Sequence, residues 1–376
     1  MSEQMKREDG LHAGYRVGKE RMNEILAELT QEYHVFGPCL DAQKKRVRYA
    51  EIRSVDQIIY DRQSDFSPKA AFYPVSQVMF YFRKDGVEES EPADEKGILI
   101  FARACDINAI RRQDNLFLKN GGAEDLFYKR LRDRVKYVLM ECTESYENCF
   151  CVSVGSNVAE DYAMAVRFGT DPANAPGTGE LEEVLVKVKD ADLASYFEDE
   201  EEEEFTVRFI QENEKKLRIP QISRENLKAV SDLPYWSKFD NECIACGGCN
   251  TVCGTCTCFD TVDVVYTEGS NDGERRRVWS GCMLENFTET AGGARARKTK
   301  GANMRFKVFH KFYDYKDRFG RAVGSSVGGT ADDATGGTAG GEHMCVGCGR
   351  CDIRCPKDIS FFDTVCEVHD EIEKNL

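Results

Sequence analysis

The chain has 376 residues, enough for two or three domains with a sizeable core. Its net charge of −15 argues against general nucleic-acid binding, and no apolar run approaches the roughly 18 residues of a membrane helix. It contains 17 cysteines, and residues 1 to 8 have no apolar stretch of the signal-peptide kind. We therefore expect a soluble cytoplasmic protein that binds neither nucleic acid nor membrane. In that compartment clustered cysteines are metal ligands or catalytic groups more often than disulfides.

The first part of the chain alternates between helical and strand-like segments. Residues 17 to 33 place Met22, Ile25, Leu26 and Leu29 at helical spacing, which predicts an amphipathic helix. Short apolar pieces predict strands at 78–82, 97–102, 137–140 and 163–166, with a polar helical stretch at 122–136 between two of them. This alternation predicts an N-terminal mixed α/β domain, which we place at residues 1–225.

Four cysteines of this domain fall in two short stretches, and we call them the N-terminal thiols: Cys105, Cys142, Cys149 and Cys151. Cys105 and Cys142 each follow a predicted strand, and the carboxyl ends of neighbouring strands meet at one edge of a sheet. Two interpretations stay open, a third [4Fe-4S] cluster or separate buried thiols. Against the cluster, Cys149 and Cys151 would share a face only in an extended segment, whereas a cubane needs a loop that wraps it.

Three biased stretches follow. Residues 198–204 are seven consecutive acids, which predict a solvated or disordered loop or helix face without chemistry. Residues 295–321 hold ten Lys or Arg against two Asp. They form either an ordinary basic surface or a patch that docks a partner or offsets the negative charge of thiolate-ligated iron. Residues 323–341 are rich in Gly, Thr, Ser and Ala and predict a flexible insertion.

The strongest pattern is a pair of cysteine runs with the spacing C-x2-C-x2-C-x3-C. The first run is Cys243, Cys246, Cys249 and Cys253; the second run is Cys345, Cys348, Cys351 and Cys355. Three cysteines two residues apart can wrap one face of a cubane, and in two-cluster ferredoxins the fourth cysteine ligates the other cluster. Pro356 follows the second run as is usual, while Gly254 replaces this proline after the first.

The exchange of the fourth cysteine between the two runs, which we call crossed ligation, predicts two [4Fe-4S] clusters. We expect them in a mainly helical ferredoxin-type domain at residues 226–376. Cluster 1 is expected on Cys243, Cys246, Cys249 and Cys355, and cluster 2 on Cys253, Cys345, Cys348 and Cys351. A pair of four-cysteine zinc sites is the alternative, although such sites usually combine two separated C-x2-C knuckles. The neighbouring Cys256, Cys258 and Cys282 are surplus to eight ligands and are expected to pack locally, and Cys39 and Cys366 stand alone.

No recognisable catalytic grouping accompanies the cysteines. The chain has five histidines without a Ser/His/Asp arrangement, and it has no G-x-G-x-x-G or G-x4-G-K-[ST] phosphate loop. We therefore predict no catalytic residue, and we expect electrons to enter and leave through partner proteins.

Four stretches of the sequence, residues 100–110, 141–155, 243–258 and 343–351, resemble the iron-sulfur electron-transfer subunit of the anaerobic sulfite reductases. The similarity extends over nearly the whole chain. It implies a non-catalytic subunit that relays electrons from a flavin subunit oxidising NADH to a sirohaem subunit reducing sulfite to sulfide. The beta subunit of cytoplasmic sulfhydrogenases shares the general pattern and is the alternative. Gly254 and the insertion at 323–341 depart from the family pattern but leave the ligands intact.

Overall fold

The computed structural model describes residues 14–43, 45–92, 94–142, 144–169, 181–319 and 342–376. The N-terminal residues and the glycine-rich stretch at 323–341, both singled out in the sequence, lie outside these ranges. Within the described residues, no helix combines the length and the apolar composition that crossing a bilayer requires.

The larger sheet has eight strands and lies in the N-terminal part of the chain. Its strands are β1 Gly14–Gly18, β2 Tyr33–Leu40, β3 Val47–Glu51, β6 Gly97–Ala102, β7 Val135–Met140, β8 Met164–Phe168, β9 Glu183–Val188 and β10 Glu201–Glu202. The order is β10-β1-β9-β8-β7-β6-β2-β3, with parallel pairing from β2 through β6 and β7 to β8. The carboxyl ends of these four strands therefore meet at one edge.

Helices cover both faces of this sheet. On one face, α1 (Lys19–Glu32) buries Met22, Ile25 and Leu26 against side chains that include Leu99 of β6. On the other, α2 (Ala104–Leu118) packs against the alternate residues of the same strands. Successive residues of a strand point to opposite faces, so continuously apolar strands such as β6 fit this sandwiched position. The mixed α/β architecture predicted for this part of the chain is present.

A second sheet joins distant parts of the chain. It contains β4 Ser76–Arg83, β5 Gly86–Glu89, β11 Phe259–Val265 and β12 Gly273–Trp279, all antiparallel, in the order β11-β12-β4-β5. Two of its strands precede residue 225 and two follow it. The mainly helical C-terminal domain expected from the sequence is thus not confirmed, and the division at residue 225 stays a prediction.

The C-terminal part also contributes several helices. Two short helices belong to the N-terminal part, α3 Leu126–Arg132 and α4 Ala191–Ala194. The helices of the C-terminal part are α5 Leu227–Ser231, α6 Phe239–Glu242, α7 Gly248–Thr251, α8 Lys300–Phe309, α9 Tyr315–Phe319, α10 Arg350–Arg354 and α11 Phe361–Asn375. A π-helical turn, His310–Asp314, links α8 to α9. Short 3-10 helices occur at Val55–Gln57, Pro68–Ala71, Val152–Val154 and Pro234–Lys238. A third apolar core lies among these helices and includes Trp236, Phe239, Val308 and Val365.

The acidic run at 198–204 is partly ordered. Two of its residues form β10, an edge strand on β1. Glu200 lies 2.8 Å from the guanidinium of Arg21, and Glu203 lies 3.4 Å from that of Arg16. The prediction of a loop or helix face is therefore wrong only for Glu201 and Glu202, because the rest of the run lies in turns and irregular backbone and is mostly exposed.

Candidate iron-sulfur sites

The first-cluster site is the group Cys243, Cys246, Cys249 and Cys355, whose side chains line one small cavity. Met283, Met304 and Phe361 supply apolar walls, and the buried Lys307 also faces it. The structure thus brings the fourth cysteine of the second run to the first three cysteines of the first run.

Unusual backbone conformations shape the first run around this cavity. Ala245 and Gly247 have φ of 54° and 68°, in the left-handed region that a residue with a Cβ adopts at a cost. A Cβ on Gly247 would lie 2.6 Å from a methyl carbon of Leu284. These turns place the Ala245 amide 3.4 Å from the Cys243 sulfur, where it donates a hydrogen bond. Amides that point at sulfur are what a cluster-binding loop requires.

The second-cluster site is the group Cys253, Cys345, Cys348 and Cys351. Cys345 and Cys348 are each only 8% exposed. Burial raises the pKa of Cys345 to about 11, and the charges of Cys253 and Cys348 act in the same direction while Lys311 opposes them. Cys253 is likewise among the groups that raise the pKa of Cys348. Burial and Asp352 raise the pKa of Cys351, and Cys348 and Cys345 add to this effect. The four thiols of this group therefore lie near one another, two of them buried and two partly buried.

The N-terminal thiols line a single cavity. Cys105 lies in the first turn of α2, directly after β6, and Cys142 lies directly after β7. Since β6 and β7 are parallel neighbours, both thiols emerge at the same edge of the sheet. Cys151 is the N-cap of the 3-10 turn at Val152–Val154, and Cys149 lies two residues before it. Gly155 ends this turn with φ of 64°. This segment is therefore a turn rather than a strand, and the geometric objection raised from the sequence does not apply.

Polar side chains hold the N-terminal thiols in place. Arg103 lies 3.6 Å from the Cys142 sulfur, and the Gln63 amide lies 3.8 Å from the Cys149 sulfur. The Cys151 thiol donates to Asn213, 3.6 Å away. Phe150 points away from the cavity into the third core, where its ring centroid lies 5.4 Å from that of Phe362. Burial and, to a smaller extent, the neighbouring thiols raise the pKa of Cys149 to about 12.

The three groups of thiols adjoin one another. Cys105 of the N-terminal group packs with Cys348 of the second-cluster site in one small buried cluster. The Phe150 amide donates to the Gly347 carbonyl at 2.8 Å, which fastens the N-terminal loop to the second run. At the other end Cys351 also faces the cavity of the first-cluster site. The second-cluster site consequently lies between the other two.

The remaining cysteines have separate environments. Asn250 donates its amide to the sulfurs of Cys256 and Cys282, at 3.6 and 3.3 Å. These two thiols and Cys366 are buried, whereas Cys258 and Cys39 are partly buried. Across the described ranges, no three His, Cys, Asp or Glu side chains converge as ligands of a single metal ion.

Several residues of these sites were not predicted from the sequence. Lys307 and Lys311 belong to the basic stretch, and their four-residue spacing in one continuous helical segment was the signal that could have distinguished them from surface lysines. Lys69, Gln63 and Asn213 carry no spacing signal, because they reach the sites only through the tertiary fold.

Comparison with known proteins adds two findings. Residues 242–330 match the 4Fe-4S dicluster domain family, a match that includes the first run and ends before the second. The chain is 26% identical to sulfhydrogenase 2 subunit beta of Pyrococcus furiosus over 370 residues, which cover 94% of this chain and 98% of that protein. No solved structure matches the chain significantly. These findings support an iron-sulfur electron-transfer role in an oxidoreductase complex but not sulfite reduction specifically.

Proposed function

We propose that this chain is the electron-transfer subunit of a multi-subunit oxidoreductase and holds three [4Fe-4S] clusters. The observation that carries the proposal is the contiguous arrangement of three groups of four thiols. Their chemistry fits the cofactor, because cubane clusters take four cysteine thiolates. When bound, such clusters accept and donate single electrons.

The burial of the thiols suggests where partners approach. Cys246 of the first-cluster site is exposed, whereas the middle group and the N-terminal group each have two buried and two partly buried thiols. Because the second-cluster site lies between the other two, the two outer groups are the ones that a partner's redox centre can approach without passing another site. We propose one partner at each end, with the N-terminal thiols as the contact point for one of them.

The comparison with a sulfhydrogenase beta subunit favours a complex of that type over the sulfite reductase complex implied by the sequence resemblance. We propose accordingly that a hydrogenase subunit is among the partners. Anaerobic purification of the native complex, followed by identification of its subunits and sirohaem analysis, tests this assignment. A sirohaem protein in the complex would contradict it and would restore sulfite reduction with a flavin subunit that oxidises NADH.

Iron analysis of the anaerobically purified full chain tests the three clusters. We expect about twelve irons per chain and about eight in each of the variants Cys246→Ser, Cys348→Ser and Cys142→Ser, because each cubane contains four. Cys39→Ser is the matched control and should retain all of them. Stoichiometric zinc in place of iron would refute the proposal, and a full iron content in Cys142→Ser would remove the third cluster from it.

A further pair of variants tests the crossed ligation. Cys355→Ser should alter the same electron paramagnetic resonance signal as Cys246→Ser, since both residues line the first cavity. Cys253→Ser should alter the signal affected by Cys348→Ser. The opposite grouping would show that each run binds its own cluster.

A further inference from the structure

Three lysines are buried beside the first-cluster and second-cluster sites. Lys69 and Lys307 are each 2% exposed, and Lys311 is 5% exposed. Lysine is almost never fully buried without a partner of opposite charge, because transferring an ammonium group out of water costs several kcal/mol. These three residues therefore need a source of negative charge.

No carboxylate within the described ranges forms an ion pair with any of these lysines. The Lys311 ammonium donates to the Thr255 hydroxyl at 2.8 Å and lies 3.5 Å from the Cys253 sulfur. The Lys69 ammonium donates to the Cys256 carbonyl at 3.1 Å and lies 3.9 Å above the Trp279 ring. The Lys307 ammonium lies 4.3 Å from the centre of the Phe361 ring. Uncharged groups supply the hydrogen bonds, but they do not supply the missing charge.

The groups beside all three ammonium groups that can supply negative charge are cysteine sulfurs, which are thiolates when they bind iron. Lys307 faces Cys249 of the first-cluster site and Cys351 of the second, and it lines the first cavity. Lys311 faces Cys253 and Cys345, both in the second-cluster site. Among the cysteines near Lys69, Cys256 has the strongest electrostatic interaction with its ammonium group and Cys253 the next strongest. The four-residue separation of Lys307 and Lys311 puts them on one side of the helical segment, directed at the clusters' ligands.

We propose that Lys307, Lys311 and Lys69 set the reduction potentials of the clusters at these two sites. A cluster on four thiolates is negative and gains one further negative charge when it accepts an electron. A fixed cation nearby stabilises the reduced form more than the oxidised form, and the low dielectric of the interior strengthens the effect. Lys311 and Lys69 act on the second-cluster site, whereas Lys307 acts on both. This inference rests on the proposed function.

Potentiometric titration of the full chain, followed by electron paramagnetic resonance, tests the proposal. Lys311→Gln should lower the reduction equilibrium constant of the second-site cluster about tenfold, which is about 59 mV for one electron. The N-terminal cluster serves as an internal reference and should keep its potential. Lys307→Gln should lower the potentials at both of the other sites. Lys228→Gln is the control, because this lysine side chain is 89% exposed to solvent. It should change the potential of none of the three clusters.

The charge-conserving variant Lys311→Arg separates charge from packing. A potential close to that of the unmodified chain supports the proposal, whereas an equal fall in Lys311→Arg and Lys311→Gln overturns it. If Lys311→Gln does not retain iron, Lys69→Gln decides, because its ammonium bonds a carbonyl and no thiol. An unchanged second-site potential in that variant overturns the proposal. Absence of iron from the unmodified chain would refute the proposed function instead, so the two failures are distinct.

Discussion

The buried ion pair between Asp106 and Arg350 connects the N-terminal thiols to the second run. Asp106 follows Cys105, and Arg350 lies between Cys348 and Cys351. The two side chains are 0% and 1% exposed and form two hydrogen bonds, of 2.6 and 3.1 Å. Ser64 accepts two more hydrogen bonds from the guanidinium, each of 2.9 Å. We therefore predict that Asp106→Asn destabilises the fold and loosens both adjoining sites.

The expected loss follows from the burial of the pair. Removing one partner of a buried ion pair costs about 3–5 kcal/mol, because the other charge stays in the interior without compensation. The asparagine keeps an acceptor for Arg350, which places the expected loss at about 3 kcal/mol. Asp263 and Arg275 form a pair of similar geometry, with contacts of 2.6 and 2.7 Å, but their side chains are 47% and 44% exposed. Asp263→Asn should lower the stability far less than Asp106→Asn, because solvent screens an exposed ion pair.

Anaerobic urea unfolding of both variants, followed by circular dichroism and by iron release, measures the difference. We expect a clearly lower midpoint for Asp106→Asn and earlier release of iron from the two adjoining sites. Equal midpoints for the two variants would refute the reasoning, because burial would then make no difference to the pair.

Two more predictions concern a glycine and a histidine. Gly349→Ala should prevent stable iron binding in the second-cluster site, because φ is +69° and the new Cβ would lie 2.1 Å from the Asn148 carbonyl oxygen. Gly121→Ala is the control: its φ is +84° but the space around it is open, so this variant should retain its full iron content. Loss of iron in both variants would contradict the steric argument. Burial, with Lys311 and Arg318 nearby, lowers the pKa of His310 to about 4 from its usual 6.5. The unfolded chain therefore binds this proton more readily, so stability should be complete above pH 6.5 and fall by up to about 1.4 kcal/mol per unit towards pH 4. Unfolding midpoints across that range should show a smaller slope in His310→Phe, and an identical slope would assign the acid sensitivity to other groups.

The sequence predicted those features that depend on local spacing. The four strands and the first helix follow from apolar periodicity, and Cys105 and Cys142 meet because each follows a parallel strand. Cys355 lies with the first run, as the ferredoxin pattern predicts, although ligation itself stays a prediction.

Features that depend on distant pairing were not predicted. Strand β12 pairs with β4, nearly 200 residues earlier, as in the register of Arg276 with Val78. Four of the seven residues of β11 are Val or Phe, but no local signal indicates which strand it joins. Lys69 follows Pro68 in a short 3-10 helix, and only the tertiary fold brings it beside Cys256, 187 residues later in the chain.

The shared four-stranded sheet has a consequence for how the chain can be made and handled. During synthesis the β4–β5 hairpin appears long before β12, so the edge of β4 that carries Val78 and Phe80 stays unpaired in the nascent chain. Unpaired edges of apolar strands are templates for aggregation, and contacts between distant segments form slowly. A fragment that stops before Gly273 would keep this edge open permanently. We therefore expect such a fragment to aggregate more readily than the full chain, in which β12 covers this edge.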